Sequence, residues 1–72
     1  MKFHPGEYLK DELEARKLPV RMMARMSGLS ADQINNIINE KENITPEIAQ
    51  CISRALGTSA ETWLKLQKSF DG

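Results

Sequence analysis

The sequence predicts an all-α protein made of five short helices. Apolar side chains recur at helical spacing, and prolines, glycines and hydroxyl residues interrupt the chain at regular intervals. No stretch alternates apolar and polar residues as a half-buried strand would. With 72 residues the chain is long enough for one small core, so we expect residues 1–72 to form a single domain.

Each expected helix has a start signal and a stop signal. Ser30 and Gln33 have the spacing of a capping box, and Thr58 and Glu61 repeat it, with Ser59 as an alternative cap. These signals predict helices at about residues 6–17, 19–27, 30–39, 46–56 and 59–70.

Proline and glycine mark the ends of the second and fourth helices. Pro19 and Pro46 suit the first helical position, which needs no backbone N–H donor. Gly28 and Gly57 suit the left-handed residue that follows a helix C-terminus. The second helix is therefore short and is followed almost at once by the third.

The composition excludes several classes of function. Cys51 is the only cysteine and His4 the only histidine, so neither an internal disulfide nor a four-ligand zinc site is available. We interpret Cys51 as a buried or half-buried thiol and His4 as a helix cap or surface residue. No nucleophile, base and orienting group can be assembled, so we expect no enzyme and no cofactor. No apolar run is long enough for a membrane span and the opening residues lack a signal peptide, which predicts a cytoplasmic protein.

The stretch ARMSGLSADQINNI, residues 24–37, has the outline of a helix-turn-helix. Ala24 is small enough for two helices to cross, and Gly28 allows a tight turn. Three aliphatic side chains are expected to fill the pocket between the helices: Leu29, Ile34 and Ile37. The motif is expected at about residues 19–39, with the N-terminal part of its second helix facing the base edges of DNA.

Four segments extend this motif into a family resemblance over nearly the whole chain. They are HPGEYL from residue 4, MARMSGLS from residue 23, NITPEIA from residue 43 and ALGTSAETWLKLQKSFD from residue 55. Together they resemble the HigA-type antitoxins of the larger XRE, or lambda-repressor-like, helix-turn-helix superfamily. The resemblance implies a five-helix lambda-repressor-like domain that binds a palindromic operator as a homodimer and represses its own operon. It also implies a partner, a RelE-like ribonuclease toxin, which the antitoxin neutralises.

The resemblance places the DNA-reading positions at the start of the third helix. The implied base-facing residues, with Ser30 at a phosphate, are Ala31, Asp32, Gln33 and Asn36; Asn35 and Lys41 complete the expected DNA-binding set on this segment. Amide side chains can pair with adenine N6 and N7, whereas Asp32 could accept from cytosine N4. Alternatives stay open: Gln33 could only complete the capping box, Asn36 could be a solvated surface residue, and Asp32 could only complement the positive helix end. Ala31 could touch a thymine methyl group or nothing.

The charge distribution is less favourable for DNA binding than the amides are. Ten basic and ten acidic residues cancel, and the only basic cluster is Arg16, Lys17, Arg21 and Arg25. We expect Arg21 and Arg25, one turn apart on the second helix, to contact the DNA backbone, although a plain solvated face is the alternative. Residues 30–45 carry three acids against one base: Asp32, Glu40 and Glu42 against Lys41.

Three positions depart from the family pattern. Relatives commonly have a hydroxyl cap, a polar phosphate contact and a glycine where this chain has Pro19, Val20 and Glu40. All three departures should weaken the grip on the phosphate backbone, which supplies most salt-dependent affinity. We also expect a positive φ at Glu40, just past the third helix.

The last helix carries an apolar stripe. Trp63, Leu66 and Phe70 lie at helical spacing, and we predict a dimer interface there, with the chain's own core as the alternative. The methionines of the second helix are interpreted as core and half-exposed filler rather than a binding patch: Met22, Met23 and Met26.

Two other functions compete with the antitoxin interpretation. The chain could be a stand-alone phage or plasmid repressor of the XRE type that has no toxin. It could also be a toxin-binding module whose DNA binding has degenerated, which the acids of residues 30–45 and the zero net charge favour.

Overall fold

The computed structural model describes residues 3–72 and contains five α-helices in this part of the chain. The helices are α1 (Pro5–Ala15), α2 (Val20–Ser27), α3 (Ala31–Ile38), α4 (Pro46–Leu56) and α5 (Ala60–Asp71). No strand occurs within the described residues. The all-α prediction is confirmed, and every predicted helix is present with its ends at most two residues from the predicted ones.

Among the described residues, twelve buried apolar side chains form one core, and every helix contributes at least one of them. Helix α1 packs on α3 and α5, α2 packs on α3 and α4, and α4 packs on α5. The core side chains are Leu9, Leu13, Met23, Leu29, Ile34, Ile37, Ile44, Ile48, Ala49, Ile52, Leu56 and Trp63. Helices α1 and α4 thus pack directly on the helix-turn-helix, and α5 packs on α1 and α4.

Two of the predicted helix starts need correction. Pro19 has extended backbone angles and is the N-cap of α2 rather than its first residue, because α2 begins at Val20. Ser59, not Thr58, caps α5, and its hydroxyl accepts from the N–H of Glu61 at 3.2 Å. Thr58 cannot form the capping box because its Oγ1 accepts the indole N–H of Trp63 at 2.8 Å.

The N-terminal end of α1 presses against the C-terminal end of α3. A Cβ atom placed on Gly6 would lie 1.7 Å from the backbone oxygen of Ile37, so only glycine fits. His4 caps α1 with Nδ1, which accepts from the N–H of Gly6 at 2.9 Å. Its ring is buried against Phe70 of α5 in an edge-on arrangement, with 4.9 Å between ring centroids. The cap role of His4 is confirmed, and the surface alternative is wrong because α5 covers the ring.

Two long-range hydrogen bonds satisfy backbone groups that the helices leave free. Arg16 donates to the carbonyl of Leu56 at 3.0 Å and so caps the C-terminus of α4. Gln67 is buried and accepts from the N–H of Ile44 at 2.7 Å, which anchors the loop between α3 and α4. Arg16 is therefore a helix cap as well as an exposed member of the predicted basic cluster.

The predicted dimer stripe on α5 divides into two parts. Trp63 is 0% exposed and packs edge-on against Tyr8, with 5.2 Å between ring centroids. The prediction of a dimer interface is wrong for Trp63, because a side chain buried in its own core has no surface left for a partner. Leu66 and Phe70 are half-buried, and their place in an interface stays a prediction.

The outward face of α5 is polar. Lys65 donates to Glu61 one turn earlier at 2.9 Å. This hydrogen bond lowers the pKa of the Glu61 carboxyl and raises the pKa of the Lys65 ammonium. Both side chains are fully solvated, so the pair adds little to stability.

Candidate nucleic-acid interface

The turn between α2 and α3 has the geometry that its residue types predict. Gly28 adopts a left-handed conformation with φ 82°, and its N–H closes α2 by bonding to the carbonyl of Ala24. Ser27 is buried, and its hydroxyl accepts from the N–H of Leu29 at 3.1 Å. Ile34 and Ile37 are fully buried on the inner side of α3. The predicted helix-turn-helix and its packing are confirmed.

Helix α3 presents its polar residues on the side opposite its buried isoleucines. With 100° between successive residues, Asp32 points most directly away from Ile34 and Ile37, and Asn35 and Asn36 lie about 50° to either side of that direction; all three are exposed. Ala31 and Ser30 are exposed at the start of the same helix. Four of the predicted DNA-binding residues are thus exposed at the start and in the first two turns of α3, and we call this set the α3 face: Ser30, Ala31, Asp32 and Asn36.

Gln33 is held at the edge of this face by a capping box. Its N–H donates to the hydroxyl of Ser30 at 3.0 Å, and its side-chain Oε1 accepts from the N–H of Ser30 at 3.2 Å. The predicted box is confirmed, and it satisfies two backbone donors that the helix cannot. The first turn of α3 is therefore fixed in the free protein.

Asn35 is exposed as well and lies on the side of α3 that faces α1. It borders an open, mostly apolar groove between α1, the α1–α2 connection and α3. The groove also includes Lys10 and Lys17, two cations of α1 and its end that the sequence-based site did not include. Helical spacing places Lys10 and Leu13 on the same side of α1. The sequence does not show that α3 packs next to this helix.

Arg21 and Arg25 lie on the exposed side of α2. They are one turn apart, and Arg25 is in the last turn of the helix, where a cation complements the helix dipole. Their contact with the DNA backbone stays a prediction. At the start of α2, Val20 is half-buried in the groove and offers no polar group to a phosphate.

Helix α3 ends in a left-handed residue that is not glycine. Glu40 has φ 62°, and the N–H of Lys41 bonds back to the carbonyl of Asn36 at 2.7 Å. This is a Schellman motif, in which glycine is the usual residue. The expected positive φ at Glu40 is confirmed, and Lys17, with φ 53° at the end of α1, repeats the arrangement without a sequence signal.

Replacing Glu40 should separate backbone strain from charge. Glu40→Gly is expected to raise stability by about 1 kcal/mol and to strengthen DNA binding, because it removes both the strained Cβ and the carboxylate. Glu40→Gln should strengthen DNA binding without raising stability, since it removes only the charge. Thermal unfolding and DNA affinity as a function of salt concentration measure the two effects. An unchanged low-salt affinity for Glu40→Gln would mean that the carboxylate is far from the DNA backbone.

The described residues give little support for a metal site, a reactive cysteine or a membrane span. Among residues 3–72, no three His, Cys, Asp or Glu side chains come together as a metal-binding group. Cys51 is half-buried on α4, with the Arg54 guanidinium 3.6 Å from its sulfur. None of the described helices combines the length and the apolar character needed to cross a bilayer.

Comparison with known proteins decides the family. The family model for helix-turn-helix domains matches residues 9–63, which is most of the chain. The chain belongs to the helix-turn-helix family. The match includes α2, the turn and α3, and hence the α3 face.

Solved helix-turn-helix structures share the whole arrangement of helices. Antitoxin HigA of Pseudomonas aeruginosa, solved with the higBA promoter, superposes with a TM-score of 0.92 at 33% identity, covering 99% of this chain and 78% of that one. An addiction module antidote protein of the HigA family from Coxiella burnetii superposes with a TM-score of 0.90 at 32% identity, covering 99% of this chain and 79% of that one. The predicted resemblance to HigA-type antitoxins is thus confirmed.

A curated relative adds a comparison of length. Virulence-associated protein I of Dichelobacter nodosus is 35% identical over 69 residues, which are 94% of this chain and 64% of the relative. The chain therefore spans less than two thirds of the length of that relative.

Proposed function

We propose that this chain is a sequence-specific DNA-binding regulator, the antitoxin of a toxin–antitoxin module, which represses its own operon. The observation that carries the proposal is the α3 face, a polar surface on a helix whose first turn is fixed by a capping box. The solved relative that includes its promoter has the same helices in the same arrangement, which supports a similar use of α3 here.

The proposal also covers the assembly of two copies of the chain on DNA, a toxin partner and a location in the cell. A homodimer would set two copies of α3 about 34 Å apart on one face of a palindromic operator. A RelE-like ribonuclease toxin would be bound and neutralised by the antitoxin. Because a regulator of this kind acts where the DNA is, we place it in the cytoplasm.

The proposal is tested on the DNA upstream of the chain's own gene. A mobility-shift titration should show a complex with this DNA at concentrations that leave a scrambled duplex of equal length free. Co-purification with the product of the neighbouring gene tests the toxin. Equal retardation of both duplexes would remove the claim of sequence-specific regulation.

Asn36 provides the sharpest test of base reading. Asn36→Ala should weaken binding to the operator by about 1–3 kcal/mol and change binding to random DNA little, because an amide that pairs with adenine discriminates between bases. Asn43→Ala, in the loop before α4, is the matched control and should leave both affinities unchanged. Equal losses on operator and random DNA would mean that Asn36 reads no base.

A second function has specific support in the structure. Val20 gives no phosphate contact at the start of α2, and the carboxylates of Asp32 and Glu40 are exposed on or beside α3. These features fit a module that binds a toxin and retains only weak DNA binding. That function predicts co-purification with the neighbouring gene product together with no mobility shift at physiological salt.

A further inference from the structure

The amide of Gln33 has a fixed orientation in the capping box. A backbone N–H can only donate, so the atom that faces the N–H of Ser30 at 3.2 Å must be the carbonyl oxygen Oε1. The hydroxyl of Ser30 lies 3.5 Å from the same oxygen and can direct its proton there. Ser30 therefore engages the acceptor end of the amide, and Gln33 is left with the two N–H donors of Nε2.

This orientation changes what Gln33 can recognise. Pairing with adenine requires the amide to accept from N6 and donate to N7 at the same time, but the N–H and the hydroxyl of Ser30 together occupy both lone pairs of the accepting oxygen. Guanine presents only acceptors in the major groove, O6 and N7, and suits a donor-only group. Resting on the DNA-binding function proposed above, we infer that Gln33 is a specificity-determining residue that selects guanine over adenine in each half-site.

The inference gives Gln33 and Asn36, two of the three amide residues of α3, different roles. Asn36 has both ends of its amide available on the α3 face and can pair with adenine. Gln33 stabilises the helix with one end of its amide and reads DNA with the other. The two alternatives for Gln33, cap or base reader, are therefore compatible in one side chain.

The substitution Gln33→Glu separates the two roles. A glutamate keeps an oxygen for the N–H of Ser30 and so keeps the capping box, but it has no N–H to donate to guanine. Gln33→Ala removes both functions. Gln50→Glu, at an exposed position of α4, introduces the same charge away from α3 and is the matched control.

The experiment selects bound sequences from a pool of duplexes with about 20 randomised base pairs, a length that spans two half-sites one helical turn apart. The wild-type chain and Gln50→Glu should enrich a motif with one guanine that Gln33→Glu and Gln33→Ala no longer require. On the enriched duplex, exchanging this guanine for adenine should weaken wild-type binding roughly 10- to 100-fold and Gln33→Glu binding far less. Gln33→Glu should unfold at the wild-type temperature and Gln33→Ala at a lower one.

Two results would overturn the inference, and a third would refute the function on which it rests. Retention of every guanine by Gln33→Glu would show that Gln33 reads no base. If the wild type selects adenine at the position that Gln33→Glu no longer requires, the amide of Gln33 must leave the capping box and rotate so that its oxygen accepts from adenine N6. Enrichment of no sequence by the wild type would instead refute the proposed DNA-binding function itself.

Discussion

Gly6→Ala is expected to destabilise the fold severely, by about 3 kcal/mol or more, because overpacking against an atom that cannot yield is costly. The new Cβ would meet the carbonyl oxygen of Ile37 at 1.7 Å and its carbon at 2.7 Å. Both are backbone atoms, so relief requires α1 to move away from α3. The expected loss is net of the helix propensity of alanine, which alone would favour the variant by roughly 1 kcal/mol.

Chemical denaturation of wild type and variant measures this effect. Gly57→Ala is the control: its φ of 73° favours glycine, but no atom lies within 4 Å of its added Cβ, so it tests a glycine replacement without a steric clash. It should lose only about 1–2 kcal/mol, the cost of the left-handed conformation. If Gly6→Ala unfolds at the same denaturant concentration as wild type, the close approach of α1 and α3 does not exist in solution.

Trp63→Ala is expected to lower the free energy of unfolding by about 3–5 kcal/mol, the usual range for truncating a buried large aromatic side chain. The variant loses the contact with Tyr8 and leaves a cavity between α1 and α5. In a domain of this size such a loss approaches the whole stability. The expected result is therefore an unfolded chain rather than a folded monomer.

Two further variants separate core packing from assembly. Thr58→Val leaves the indole N–H of Trp63 without its acceptor and should cost about 1–3 kcal/mol without changing the oligomeric state. Leu66→Ala removes a half-buried side chain beside the core, and sedimentation tests its predicted place in a dimer interface. A folded, monomeric Trp63→Ala chain would restore Trp63 to the interface and contradict its burial.

Local sequence signals predicted most of the fold. Caps, glycine ends and the spacing of Leu9, Leu13, Ile34 and Ile37 depend on residues within a few positions of one another, and these predictions are confirmed except at the starts of α2 and α5. The positive φ at Glu40 also followed from its place after a helix, whereas Lys17 gave no such signal. Element type and ends are local properties, so the sequence contains them directly.

Features that depend on the packing of helices distant in sequence were not predictable in this way. Helical spacing gave the stripe of α5 but could not show that Trp63 is buried beneath α1. Arg16 appeared to be a surface cation, yet it caps α4, forty positions away in sequence. The α3 face was predicted well because an amphipathic helix defines its own outer side, whereas contacts with DNA depend on a partner absent from the sequence.

Helix α3 is held at both ends, by the Ser30–Gln33 box at its start and by Gly6 at its finish. No segment of α3 has to order when DNA binds, so association should carry little of the entropic penalty that accompanies coupled folding. The heat capacity change on binding should then scale with the surface buried against DNA alone. A DNA-binding protein of this kind presents a rigid surface to its operator. Any deformation needed for a close fit must then occur in the DNA.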